Sequence, residues 1–372
     1  MPSPANALAP TPAERLTRIR SDLRMGLPCL ITRGTHRAIL VAVETVSPER
    51  YAGLHALCGA PELVLASNRA RAIMSAAASA DLAHEPVRIR PPDGADIDWF
   101  RTLSDTAFDQ QANARGPLHV LRDGDHALAS FALTLVKSAE LLPSAVLFAV
   151  ADETVLPAEL SLACLDVAEG AALVAAQPTL HPVAASAFPL QAADRGSLHV
   201  FRDPTGRYEH YALEIGDPDR SQPVLSRLHS ACFTGDVLGS LKCDCGPQLQ
   251  AALAQMGSEG AGVLLYLNQE GRGIGLANKM RVYDLQLQGF DTVEANHRLG
   301  FEDDERDFRV AAEMLRRLGF SAARLLTNNP KKTEVFEMQG IAITEQLPLR
   351  VGRNIHNSGY LSVKALKSGH AL

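Results

Sequence analysis

Hydrophobic and polar positions alternate between two periods along this chain. Short apolar runs at Leu27–Thr32, Ala38–Val43, Leu63–Ala66 and Val146–Val150 predict strands. Helical spacing lies near Pro12–Arg18 and over Asn68–Ala80 and His126–Ala139. Strands and helices interleaved in this way predict a layered αβ domain. Near residue 195 the sequence changes character, with fewer Ala and Leu and more polar clusters. Leu198–Arg202 and Tyr208–Ile215 then read as strands joined by the turn Asp203-Pro-Thr-Gly206. Leu249, Leu253 and Met256 fall at i, i+4 and i+7, which makes Pro247–Met256 an amphipathic helix opened by proline. Ala261–Leu267 is a short apolar strand, and Phe308, Ala311, Leu315 and Leu318 mark a helix face stopped by Gly319. Ala323–Thr327, Lys331–Gln339 and Ile341–Thr344 continue as strand, helix, strand. The expected class is α/β (α+β) in two domains. A flexible tail takes residues 1–15, an αβ domain 16–194, and a mixed sheet with flanking helices 195–372.

Length and composition leave that picture standing. The 372 residues suffice for two buried cores, and 46% hydrophobic with 21% charged residues is ordinary for a globular protein. The longest apolar run, Leu141–Ala151, is too short for a membrane span and is broken by Pro143. The N-terminus lacks the basic-then-apolar order of a signal peptide, and Cys29, Cys58 and Cys164 stand singly, so a reducing cytoplasm is expected. The net charge of −6 is uneven: residues 220–372 carry +2 and the rest −8. An acidic whole argues against nucleic-acid binding through a general phosphate field. It leaves room for a pocket that takes one small polyanion. A nine-residue echo, Arg115–Asp123 against Arg195–Asp203, is too short for a repeat and reads as two similar strand entries.

Three of the six cysteines crowd into CFTGDVLGSLKCDCG, residues 232–246. Cys243 and Cys245 fall at the start of the helix opened by Pro247, where the dipole and free N–H groups favour thiolates. With Cys232 they make three corners of a tetrahedral zinc site, the fourth being open to water. Three buried free thiols, or a structural zinc completed by a distant His, are the other readings. Downstream, Gly271, Gly273 and Gly275 around Arg272 form a loop able to approach a phosphate, although it is neither GxGxxG nor a Walker loop. The run Gly300–Phe308 either caps a helix or pairs Asp304 with Arg306 in an active site. Leu326–Lys332 is a strand-to-helix loop of the kind that faces ligands.

Together the stretches 227–250, 267–301, 302–308 and 325–332 resemble GTP cyclohydrolase II, the family that opens riboflavin biosynthesis. The resemblance implies one catalytic zinc on Cys232, Cys243 and Cys245. It implies Asp304 as proton acceptor, Arg306 as the nucleophilic residue at the α-phosphate, and Tyr283 beside the zinc-bound water. Contacts to GTP would come from Arg227, His229, Ser230, Gln248, Glu270, Gly271, Arg272, Thr292, Thr327 and Lys332. Magnesium with the pyrophosphate and a homodimer are also implied, with no nucleic-acid or membrane partner. The implied products are 2,5-diamino-6-(5-phosphoribosylamino)pyrimidin-4-one, formate and pyrophosphate. One position departs from the family: Ala231 stands where His-Ser-Glu-Cys is usual, which keeps open an altered relative that binds a nucleotide or stops after ring opening. Residues 26–80 faintly resemble 3,4-dihydroxy-2-butanone 4-phosphate synthase, but only Glu44 and Glu49 stand where that enzyme has a dense acidic stretch for magnesium. A structural or dimerising role, inactive in that reaction, is expected for this domain.

Overall fold

The computed structural model describes residues 8–74, 86–113, 117–124, 126–204 and 208–358. The chain forms two compact units. Residues 1–176 and 280–304 make the first, and residues 177–279 and 305–372 the second.

In the first unit seven strands form one sheet: β1 (Cys29–Arg33), β2 (His36–Ala42), β3 (Glu62–Leu65), β4 (Val87–Arg90), β5 (His119–Leu121), β6 (Ser144–Val150) and β7 (Cys164–Asp166). Their order is β5-β4-β3-β6-β2-β1-β7, antiparallel except for β1 beside β7. Alternation along β2 and β6 divides the side chains between two cores. Leu40 and Leu147 pack with Leu16, Ile19, Leu23 and the helix His126–Ser138 on one face. Ile39, Val41, Val146 and Phe148 pack with Tyr51, Phe100 and Leu103 on the other. Both faces are covered, which explains why these strands read as continuous apolar runs. The first helix spans Pro12–Arg24, closed at its start by a capping box between Thr11 and Glu14. Residues 12–15, expected in the tail, therefore belong to it. Residues 75–80 of the expected helix and residues 205 and 206 of the expected turn lie outside the described residues, as do 115 and 116 of the sequence echo.

The second unit also holds seven strands: β8 (His181–Leu190), β9 (Ala193–Arg202), β10 (Glu209–Gly216), β11 (Val224–Ser230), β12 (Ala261–Leu267), β13 (Ala322–Leu326) and β14 (Ala342–Leu347). The order is β14-β13-β11-β12-β10-β9-β8. β11 runs parallel to both β12 and β13, and β8–β10 form an antiparallel extension. This sheet begins at His181, ahead of the change in character at residue 195, because the Ala-rich β8 has the composition of the preceding region. The helix Cys245–Glu259 covers one face through Ala252 and Met256. Arg309–Arg317 and Pro330–Met338 cover the other through Met314, Leu315 and Phe336. The carboxyl ends of the three parallel strands β11, β12 and β13 share one edge, where open α/β sheets place their ligands.

Candidate functional site

The sequence that leaves β11 makes a wide turn over Phe233–Val237 and returns to open the helix at Cys245. That path gathers Cys232, Cys243 and Cys245 with their sulfurs all within 4.8 Å of one another. Among the described residues this is the only group of three or more Cys, His, Asp or Glu so arranged. Gly235 makes the cluster possible. A Cβ there would lie 2.8 Å from the Cys243 sulfur and 3.1 Å from that of Cys232. Cys232 is held far below the usual thiol value, first by hydrogen bonds from Cys243 and Cys245 and then by the Lys279 ammonium, against the effect of burial. The same shared bond raises Cys243 to about 11, and Cys245 also lies well above a free thiol. One thiolate with two thiols is the donor set of a soft cation, whose entry releases the remaining protons. A helix start, a glycine cradle and an adjacent ammonium thus fit a zinc ion at these sulfurs.

Two residues that sequence reasoning passed over organise the surroundings. Asp236 accepts from the Cys232 amide at 3.0 Å, from Tyr266 Oη at 2.9 Å and pairs with His229 Nε2 at 3.0 Å. Lys279 Nζ reaches Cys232 Sγ at 3.1 Å, Thr234 Oγ1 at 3.0 Å and Glu270 Oε1 at 2.8 Å. Burial alone would lower Lys279, but the Glu270 hydrogen bond and the Cys232 charge raise it, so it stays an ammonium. Asp236 lay in plain view inside the cysteine stretch. Its role depends on strand neighbours 7 and 30 residues away.

Arg227 and His229 sit two apart on β11 and so face the same side of the sheet. Arg227 donates to the Leu326 carbonyl at 2.9 Å and to Gln248 Oε1, while Gln248 Nε2 donates to Asp244 at 2.6 Å. Burial lowers Arg227 to about 10, still charged at neutral pH, and its buried Nε has no hydrogen-bond partner among the described residues. Lys332 Nζ donates to the Leu228 carbonyl at 3.0 Å, and Arg306 donates to Ser230 Oγ at 3.2 Å. Both cations also lie over the Phe308 ring, Arg306 at 4.7 Å and Lys332 at 5.4 Å. Thr327 Oγ1 accepts from the Asn329 amide at the turn into the helix. At the end of β12, Glu270 accepts from the Phe233 and Gly271 amides. Gly271, Arg272 and Gly273 are all left-handed, with φ of 62°, 62° and 90°. An arginine in that region is uncommon and strained. The Glu305 amide bonds the Arg272 carbonyl at 2.9 Å, and a Cβ on Gly273 would strike Glu305.

Tyr283, Thr292 and Asp304 fall in the segment 280–304, which packs in the first unit. Tyr283 lies on the helix Gly275–Leu287. Thr292 opens the helix Thr292–Leu299 and accepts from Gln286 Nε2 at 3.0 Å. Asp304 closes the segment, whereas Arg306 lies in the second unit. The charged run precedes the helix Arg309–Arg317, where Phe308 at the cap position makes no side-chain bond; the Asp307 carboxylate accepts from the Arg309 amide at 3.0 Å and pairs with its guanidinium at 2.7 Å. The Ala231 amide donates to the Leu267 carbonyl, and Glu270 is the carboxylate that reaches the adjacent Phe233 amide. No helix among the described residues is long and apolar enough to cross a membrane.

The sequence model of the GTP cyclohydrolase II family matches residues 182–348. A GTP cyclohydrolase-2 of Azospirillum brasilense is 48% identical over 246 residues, 64% of this chain and 63% of that protein. The Azotobacter vinelandii protein of the same name is 56% identical over 47% of this chain and 85% of its own length, and that of Shigella boydii 57% over 46% and 88%. Among solved structures, a two-domain 3,4-dihydroxy-2-butanone 4-phosphate synthase from A. baumannii aligns at 14% identity and a TM-score of 0.32, over 91% of this chain and all of that one. With a relative matched over most of its length at such identity, the chain belongs to the GTP cyclohydrolase II family.

Proposed function

We propose that this protein is an active GTP cyclohydrolase II. It hydrolyses GTP twice at C8 and once at the α-phosphate, giving formate, pyrophosphate and 2,5-diamino-6-(5-phosphoribosylamino)pyrimidin-4-one for riboflavin synthesis. The observation that carries this reading is the cluster of Cys232, Cys243 and Cys245 within 4.8 Å at the edge where Arg227, Lys332 and Arg306 also converge. The three cysteines would hold zinc, which when bound supplies Lewis acidity toward the purine at neutral pH. Lys279 offsets thiolate charge and keeps Cys232 ionised. Arg227, with a spare buried N–H, joins Lys332 and Arg272 in neutralising the triphosphate. Arg306 is the nucleophile at the α-phosphate, Asp304 the proton acceptor, and Tyr283 borders the opened ring. Gln248, Glu270, Gly271, Ser230, His229, Thr292 and Thr327 complete the substrate contacts. Magnesium accompanies the pyrophosphate, the protein acts as a homodimer, and the cytoplasm is its compartment, in keeping with six free cysteines.

The test is incubation of the zinc-loaded full chain with GTP, following formate and pyrophosphate. Both products should form, and Cys232→Ser should lose both together with its zinc. Formate without pyrophosphate would point to a relative that stops after ring opening. Neither product, or full activity in Cys232→Ser, would overturn the reading.

A further inference from the structure

Tyr283, Thr292 and Asp304, three of the residues given roles in the proposed reaction, all lie in a segment that is packed and ion-paired by the N-terminal part of the chain. Arg281, two residues before Tyr283, pairs with Glu44 at 2.9 Å and approaches Asp105 at 3.8 Å. Glu44 is itself fixed, since its other oxygen accepts from the Leu142 amide at 2.7 Å. Asp109 divides its two oxygens between Arg69, at 2.6 Å, and Arg298, at 3.0 Å. Arg69 is 1% exposed and also donates to the carbonyls of Leu103 and Arg298. Past the helix Thr292–Leu299, Gly300 turns at φ +92°, and a Cβ there would meet Ala66, Arg69 and Pro143 at 3.1–3.3 Å. Phe301 is buried beneath Lys137. Asn296 then bonds the carbonyls of Glu302 and Asp303, carrying the constraint to the residue before Asp304.

We infer that the N-terminal part of the chain is a positioning scaffold, in which Glu44, Arg69 and Asp109 fix the segment 280–304 through Arg281 and Arg298. These are positioning residues: they touch the segment and have no part in the chemistry. Single-point pairing of this kind constrains orientation, and a misplacement of about 1 Å costs on the order of 100-fold in rate.

The consequence for catalysis rests on the proposed reaction, whereas the hold itself does not, so two measurements are made on the full zinc-loaded chain. In Asp109→Asn and in Arg281→Ala, amides of residues 292–301 should exchange with solvent at least about tenfold faster, with those of β12 unchanged. In the same variants kcat for formate release should fall about tenfold or more with KM within about twofold, and Arg281→Lys should recover most of it. Should Asp109→Asn fail to fold, the partly exposed Arg281 carries the test alone. Unchanged exchange in 292–301 overturns the inference, as does faster exchange with an unchanged kcat. If the wild-type chain releases no formate, the proposed reaction fails and the exchange result still decides the hold.

Discussion

Replacing Gly235 by alanine tests the proposed metal centre with the smallest possible perturbation, one methyl group. The new carbon would stand 2.8 Å from Cys243 Sγ, 3.0 Å from Cys245 Cβ and 3.1 Å from Cys232 Sγ. Unstrained contacts between such atoms run at about 3.5–4.0 Å, so each neighbour is too near by roughly half an ångström or more. None is the far end of a flexible chain: Cys232 and Cys243 are buried, and Cys245 sits in the first turn of its helix. The sulfurs must spread. Overpacking of this kind costs about 1–3 kcal/mol. Spent on ligand geometry, it should weaken zinc by about 10–100-fold, the range of a lost supporting contact. The assay is competition with a chromophoric chelator, and cobalt-substituted protein reports the thiolate geometry by its absorption. Zinc affinity within about twofold of wild type and an unaltered cobalt spectrum would refute the assignment of these three sulfurs as a ligand set.

Gly53→Ala serves as the opposite control: it lies exposed within the helix Pro48–Cys58, a Cβ there meets nothing within 4 Å, and the protein should gain about 0.5–1 kcal/mol, read as a raised Tm with zinc binding unchanged. Asp236→Asn removes the charge that orients His229 and the acceptor used by Tyr266 and the Cys232 amide, so the urea midpoint should fall by an amount equivalent to about 1–3 kcal/mol; an unchanged midpoint would show that Asp236 is not the hub. His229 titrates below its ordinary 6.5, chiefly through burial and in spite of Asp236. The folded protein keeps it neutral where the unfolded chain takes up a proton, so its contribution is whole above about pH 6.5 and is lost as pH falls through the folded value. Other groups titrate too, and the readout is therefore a difference: between about pH 7.5 and 5.5 the loss of stability should be smaller in His229→Gln than in wild type, by at most about 1.4 kcal/mol per pH unit. Parallel curves would sink that account.

Strands such as β2, β6 and β12 and helices such as His126–Ser138 were legible because each carries its own period, whereas β4, β7 and β8 are short or Ala-rich and were not read as strands. The apolar stretch Ala261–Leu267 is β12 residue for residue, and the proline-led helix begins within two residues of its expected start. The cysteine cluster was legible because all three of its thiols fall within 15 consecutive residues. Glu270 was also read from its motif, but its partner Lys279 acquires its role only because the loop after β12 brings the ammonium back over Cys232. Asp236 becomes a hub only because β11 and β12 run side by side and set His229 and Tyr266 face to face, their rings 5.6 Å apart. The assignment of 280–304 was beyond sequence for a stronger reason. Its helices have ordinary amphipathic patterns, and nothing in such a pattern names the surface it will cover. Periodicity reports which side of an element is buried; only long-range contacts, such as Arg281 on Glu44 and Arg298 on Asp109, decide what buries it.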